Sequence, residues 1–181
     1  MTGDAREAPL RVVFTGSECT GKSTTARQLA EELGAVLVPE FVREFAEAKG
    51  GTIAFEDHGP IARGQQAIED RAIADATMRR LPLVVQDTDL LSTAVYCQHY
   101  FGVCPPWIAE LAQARRPDLY LLMDVDLPWI ADGVRDRGDR RAEMQALFQA
   151  AVAASGARFA EIQGVGPERV ARARDAIKRL L

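Results

Sequence analysis

Gly16-Ser17-Glu18-Cys19-Thr20-Gly21-Lys22-Ser23 satisfies the pattern G-x-x-x-x-G-K-[ST], the densest chemical signal in the 181-residue chain. The two glycines let the backbone curl until its N–H groups converge on an anion. A helix beginning at Lys22 adds the favourable end of its dipole. Lys22 is suited to neutralise the β- and γ-phosphate oxygens of a nucleoside triphosphate, and Ser23 to give a hydroxyl to the magnesium ion that bridges them, with Thr24 beside it. With 14 glycines, three lysines and 13 serines plus threonines in the chain, chance produces this pattern in roughly one chain in a thousand. The arginines number 19, so a lysine is the more informative cation. Cys19 lies near a helix N-terminus, where a thiol is acidified, but a small tolerated side chain is the plainer reading.

Phosphoryl transfer also needs a carboxylate on the metal side and a group that orients the attacking hydroxyl. In parallel sheets both sit at the C-terminal ends of strands. Asp87 ends the apolar run LVVQ as a magnesium-side acid would, Asp89 follows two residues later, and Glu40 ends the run AVLVPE. Arg43 and Glu44 place a cation beside two acids, suited to a sugar or phosphate, although a surface ion pair would look the same. Arg135, Arg137, Arg140 and Arg141 fall within seven positions, between glycines 133 and 138 and beyond. A lid over about residues 129–141 could bring guanidinium groups onto the migrating phosphoryl, with Arg135 and Arg137 reaching it; the alternative is a solvated charged helix. Tyr96, Tyr100, Phe101, Trp107 and Trp129 are candidates for a flat wall against a planar acceptor ring. The two histidines, His58 and His99, show no zinc spacing, and no structural metal is expected.

The elements that must hold these groups alternate. LRVVFT (10–15), AVLVPE (35–40), LVVQ (83–86), LYLLM (119–123) and ARFAEIQ (157–163) read as strands. Helical periodicity covers 22–33, 61–80, about 89–100, 108–114, 129–138, 141–154 and 167–181, with Pro167 in the first turn of the last. Such alternation predicts one α/β domain over 1–181, a five-stranded parallel sheet with helices on both faces, residues 1–9 being flexible. The loop from Gln163 to Pro167 is the candidate for adenine by analogy with the fold.

Composition narrows the class further. A net charge of −4 argues against a nucleic-acid binder that relies on general electrostatics. The three cysteines, Cys19, Cys97 and Cys104, make no C-x-x-C pair, and a disulfide framework is not expected. MTGDAREAPL has no apolar core and no stretch approaches the ~20 apolar residues of a membrane span. The expectation is a cytoplasmic protein with a small-molecule partner, neither nucleic acid nor membrane; oligomeric state is not legible.

Several of these segments together resemble the ribosylnicotinamide kinase domain of the NadR family and its standalone relatives among the P-loop ATPases. The resemblance is carried by GSECTGKST, PEFVREF, ARGQQAIEDRA, VVQDTDLLSTAVYCQHYFG and PWIADGVRDRG, in the family's order and across nearly the whole chain. It implies a P-loop NTPase fold with an arginine-bearing lid, and ATP- and Mg²⁺-dependent phosphorylation of the 5′-hydroxyl of nicotinamide riboside. It further implies Lys22 and Ser23 as phosphate and magnesium contacts, Glu40, Arg43, Asp87 and Asp89 as acceptor-side or metal-side groups, Arg135 as the lid arginine, and Trp129 near the nicotinamide. Cys19-Thr20 departs from the family's serine pair. The adenylyltransferase and DNA-binding parts of NadR have no counterpart in these residues, so neither a repressor role nor the next step to NAD is expected. Rival readings are a kinase of thiamine, a deoxynucleoside or a nucleoside monophosphate, and an ATP-dependent regulatory switch. The chain contains no asparagine, which excludes the Asn-Lys-x-Asp guanine reader.

Overall fold

Alternating side-chain direction organises the first strand. In β1 (Leu10–Thr15), Leu10, Val12 and Phe14 face one layer of helices and Val13 the other, as the two-residue period of a strand requires. The computed structural model describes residues 8–128 and 140–181. After β1 come α1 (Lys22–Leu33), β2 (Val36–Val38), α2 (Phe41–Lys49), a 3₁₀ turn (Phe55–Asp57), α3 (His58–Met78), β3 (Leu83–Asp87), α4 (Leu90–Phe101) and α5 (Pro106–Ala114). The chain then forms β4 (Leu119–Met123), α6 (Arg141–Ser155), β5 (Arg158–Ile162) and α7 (Pro167–Lys178).

All five strands pair in parallel in the order β2-β3-β1-β4-β5. The fold class is therefore the expected one: α/β, with a five-stranded parallel sheet covered on both faces. One core layer packs Ala26, Leu29 and Ala30 of α1 and Val170, Ala173 and Ile177 of α7 on the sheet. The other packs Leu90 and Leu91 of α4, Ile108 of α5, and Met144, Phe148 and Val152 of α6 on Val13, Tyr120 and Leu122. Residues 84–86 and 120–122 are buried throughout because helices cover both sides.

Some boundaries differ from those read in the sequence. β2 is only three residues long and lies at the sheet edge, with Pro39 and Glu40 beyond it. The helix α2 has no counterpart among the predicted elements. It buries none of its residues, and at nine residues, with Phe41 and Phe45 set among charged neighbours, it is short enough to pass as a charged connection. Of the expected lid at about 129–141, residues 129–139, with Trp129, Arg135 and Arg137, lie outside the described residues, as do 1–7 of the expected flexible start at 1–9; Arg141 opens α6, and Pro9 is buried. No helix among the described residues is long and apolar enough to cross a membrane.

Candidate active site

Register brings the chemistry together. Phe14 of β1 pairs with Asp87 of β3, so this carboxylate stands beside the root of the loop that leaves β1 at Gly16. Gly16 has φ +121°, and a Cβ there would come 2.8 Å from the Met123 carbonyl; only glycine lets the loop rest directly on the end of β4. Gly21, at φ +76°, turns the chain into α1, whose N-terminus has no side-chain cap. Its first N–H groups are thus available to an anion.

The loop is held from several sides. Lys22 Nζ donates to the carbonyls of Gly16 (3.0 Å) and Ser17 (2.6 Å), and the Thr20 hydroxyl donates to Ser17 O (2.9 Å). Gln145 of α6 accepts from the Ser17 N–H at 3.1 Å while its amide donates to Met123 O at 3.1 Å. Arg141 donates to Cys19 O at 3.3 Å and Leu127 O at 3.0 Å, and Arg169 of α7 donates to Thr20 O at 2.7 Å. Neither Gln145 nor Arg169 belongs to a sequence motif, and Arg141 is marked only as one of the lid arginines. Among 19 arginines no single one stands out, and a glutamine has no motif to mark it.

Asp87 is 7% exposed. Burial raises its carboxyl above the ordinary range; a hydrogen bond from Ser23 opposes this, the charge of Glu40 adds to it, and Lys22 and Arg43 oppose it. Ser23 lies beside Asp87, and the charges of Lys22, Glu40 and Arg43 all act on it. Its Oδ1 is buried without a hydrogen-bond partner, an orphan acceptor that a cation would satisfy. A hydroxyl and a carboxylate side by side form an oxygen donor set suited to magnesium. Glu40 stands at the N-cap of α2, and its carboxylate pairs with Arg43 at 3.3 Å. Thr24 is exposed on the first turn of α1.

Asp89 faces the other way. Thr88 between the two acids has φ +71°, unusual for a β-branched residue and of the kind that accumulates at functional sites. It turns Asp89 inward, where Oδ1 caps α4 by accepting from Leu91 N (3.1 Å) and Ser92 N (3.4 Å), and Oδ2 accepts from the Tyr120 hydroxyl (2.7 Å). Asp89, expected on the acceptor side, thus has both oxygens engaged in the fold. Burial pushes its carboxyl up to about 6, against the opposing hydrogen bond from Tyr120.

The described aromatics do not form one wall. Tyr96 stacks on Tyr100 (centroids 6.1 Å, planes 13° apart) and meets Phe148 edge-on. Phe101 meets Phe55 and His58, and Trp107 lies under the Arg63 guanidinium at 4.9 Å. Helix packing divides them, so Tyr96 is seen as part of the α4–α6 contact. The loop 163–166 comes close to the phosphate loop through Arg169, whose Nε donates to Gly164 O at 2.7 Å.

This strand order, with the glycine loop between β1 and α1, defines a P-loop kinase-like fold. The chain belongs to the family described as AAA domain (AAA_28), whose model matches residues 11–169. It is 32% identical over 143 residues to the trifunctional NAD biosynthesis/regulator protein NadR of Escherichia coli K12, and 30% identical over 145 residues to that of Salmonella typhimurium LT2. Each match covers 76% of this chain and 34% of the relative, so the match takes in about a third of the length of these curated relatives. Among solved structures, a NadR protein in complex with NR matches at TM-score 0.84 and 25% identity, over 94% of this chain and 51% of that one. Thymidylate kinase from Ehrlichia chaffeensis shares the fold at TM-score 0.69 and 18% identity, over 96% of this chain and 99% of that one.

Proposed function

We propose that the protein transfers the γ-phosphoryl group of ATP to the 5′-hydroxyl of nicotinamide riboside, giving nicotinamide mononucleotide. The observation that carries this reading is Asp87: a buried carboxylate with an orphan oxygen beside the phosphate-loop serine, within electrostatic reach of Glu40 and Arg43. The likeness to NadR, including the structure in complex with NR, supports nicotinamide riboside as the acceptor.

In this reading Lys22 leaves its loop carbonyls and neutralises the β- and γ-phosphate oxygens, while the backbone from Gly16 to Gly21 cradles the β-phosphate. Ser23 and Asp87 would hold magnesium, which would supply positive charge to the phosphate oxygens. Glu40 orients the 5′-hydroxyl and takes its proton as the new O–P bond forms and the bond from the γ-phosphorus to the β–γ bridging oxygen breaks; ADP leaves. Arg43 steadies Glu40 and the ribose. Asp89 serves this site by fixing the start of α4. Arg135 and Arg137 would complete the charge stabilisation from the lid, and Trp129 would lie near the nicotinamide. The single-domain organisation and a cytoplasmic setting belong to the same proposal.

The test is acceptor competition. Purified protein with ATP and Mg²⁺ is offered nicotinamide riboside, thiamine and thymidine together, and the phosphorylated products are separated. Nicotinamide mononucleotide should predominate. Predominance of another product overturns the acceptor, and slow ATP hydrolysis with no phosphorylated acceptor favours the regulatory switch.

A further inference from the structure

Arg169 is an oddity of this site: a guanidinium only 2% exposed at the start of α7, far in sequence from every motif. Its donors are spread over three segments. Nη1 donates to Thr20 O of the phosphate loop at 2.7 Å, Nη2 to Asp124 O beyond β4 at 3.2 Å, and Nε to Gly164 O beyond β5 at 2.7 Å. Its charge is met by the Asp126 carboxylate, which also accepts from the Gly164 N–H at 2.6 Å. Burying a charge is costly unless it is paired and hydrogen-bonded throughout, and here it is.

The consequence follows from the planarity of the peptide bond. In a trans peptide the carbonyl of one residue and the N–H of the next point in opposite directions. Whatever holds a carbonyl therefore aims the following N–H the other way. The first peptide of the loop shows this pairing directly: Lys22 takes the Gly16 carbonyl and Gln145 takes the Ser17 N–H from the opposite side. At the far end Arg169 draws the Thr20 carbonyl outward into the protein, which leaves the Gly21 N–H facing the inside of the curl, at the uncapped start of α1. Arg141 does the same for the Cys19 carbonyl and the Thr20 N–H at 3.3 Å, a longer contact.

We infer that Arg169 is a positioning residue that holds the Thr20–Gly21 peptide with its N–H aimed at the phosphate cradle, and so sets the affinity of the loop for polyphosphate. The inference rests on the loop being a phosphate cradle, but not on the identity of the acceptor. A lysine could keep the pair with Asp126, but it has no rigid planar fork to span Thr20, Asp124 and Gly164 together.

The test uses inorganic tripolyphosphate with Mg²⁺, which carries no base and needs no acceptor, measured by titration calorimetry on the full chain. Arg169→Lys should bind it about tenfold more weakly. In protein labelled with ¹⁵N-glycine, the displacement of the Gly21 amide resonance on binding should shrink, a signature that a change in stability alone does not move. Asp126→Asn, at a partly exposed residue that leaves Arg169 in place, should shift both readouts in the same direction by less. A folded Arg169→Lys protein with unchanged affinity and an unchanged Gly21 displacement overturns the inference. If Arg169→Lys does not fold, unchanged binding by Asp126→Asn overturns it. Failure of the unsubstituted chain to bind tripolyphosphate overturns both the inference and the cradle reading, whereas binding without phosphorylation of nicotinamide riboside overturns the acceptor proposal alone.

Discussion

Around the phosphate loop, Lys22, Gln145, Arg141 and Arg169 hold backbone groups of four residues, Gly16, Ser17, Cys19 and Thr20, whereas Glu40 and Arg43 stand at the start of α2, which buries none of its residues. The phosphate end is preorganised from several directions at once. The proposed acceptor end has one half-exposed ion pair and a short helix anchored by the Phe41 N–H on Gln65, at 3.1 Å. A triphosphate is the same for every kinase of this fold, so rigidity there costs nothing in versatility. The acceptor differs between relatives, and an exposed helix can change its side chains without disturbing the core.

Substitutions at the two ends should therefore differ in size and kind. The largest loss is expected for Lys22→Ala, at least about 100-fold in turnover by ADP release, with the fold unchanged by circular dichroism. A loss below tenfold would break the contrast. Asp87 comes next, and its effect is read through pH. Its carboxyl lies above the ordinary range and must be ionised to hold a cation, so Mg²⁺-dependent nucleotide binding should fade on acidification at a pH above that of a free aspartate. Glu40→Gln should move this limb to lower pH, because the charge of Glu40 is one of the causes of the rise. A limb that stays in place would show that the two ends are not electrostatically joined.

A smaller effect is expected beneath the site. Glu69 is buried on α3, bonded to Gln65 at 3.2 Å and to Arg115, and burial first, then the charge of Asp89, pushes its carboxyl up to about 7. A carboxyl raised in the folded state favours folding most while it is protonated in both states. Stability should thus decline as pH rises from about 4.5 to about 7, by about 3 kcal/mol at most. Denaturant titrations of Glu69→Gln across that interval should show a flatter dependence. The smallest effect belongs to Arg43→Ala: stability within about 0.5 kcal/mol, since the pair with Glu40 is partly exposed, and a few-fold rise in acceptor KM at constant kcat.

The same asymmetry governed what could be read in the sequence. β1, β3 and β4 are legible because helices cover both faces and leave mostly apolar runs, interrupted at Arg11, Thr15 and Gln86, that lead to Gly16, Asp87 and Asp124. The scarcity of lysine made Lys22 conspicuous. Arg169 was hidden by the abundance of arginine, and its contacts join residues 149 positions apart, which no local pattern reveals. Asp89 sits two residues from Asp87 and carries the same charge, but the left-handed turn at Thr88 sends the two carboxylates to different tasks. Helix α2 carries its Phe41–Phe45 stripe over only nine residues, too short a window for helical periodicity to stand apart from a charged loop.

The most direct test of the account is the fate of the γ-phosphoryl group. Protein incubated with Mg²⁺, nicotinamide riboside and ATP labelled with ¹⁸O in the γ-phosphoryl group should yield nicotinamide mononucleotide carrying the label, located on the 5′-phosphate by mass spectrometry, and none with Lys22→Ala. Unlabelled mononucleotide, or label recovered only as inorganic phosphate, would contradict it.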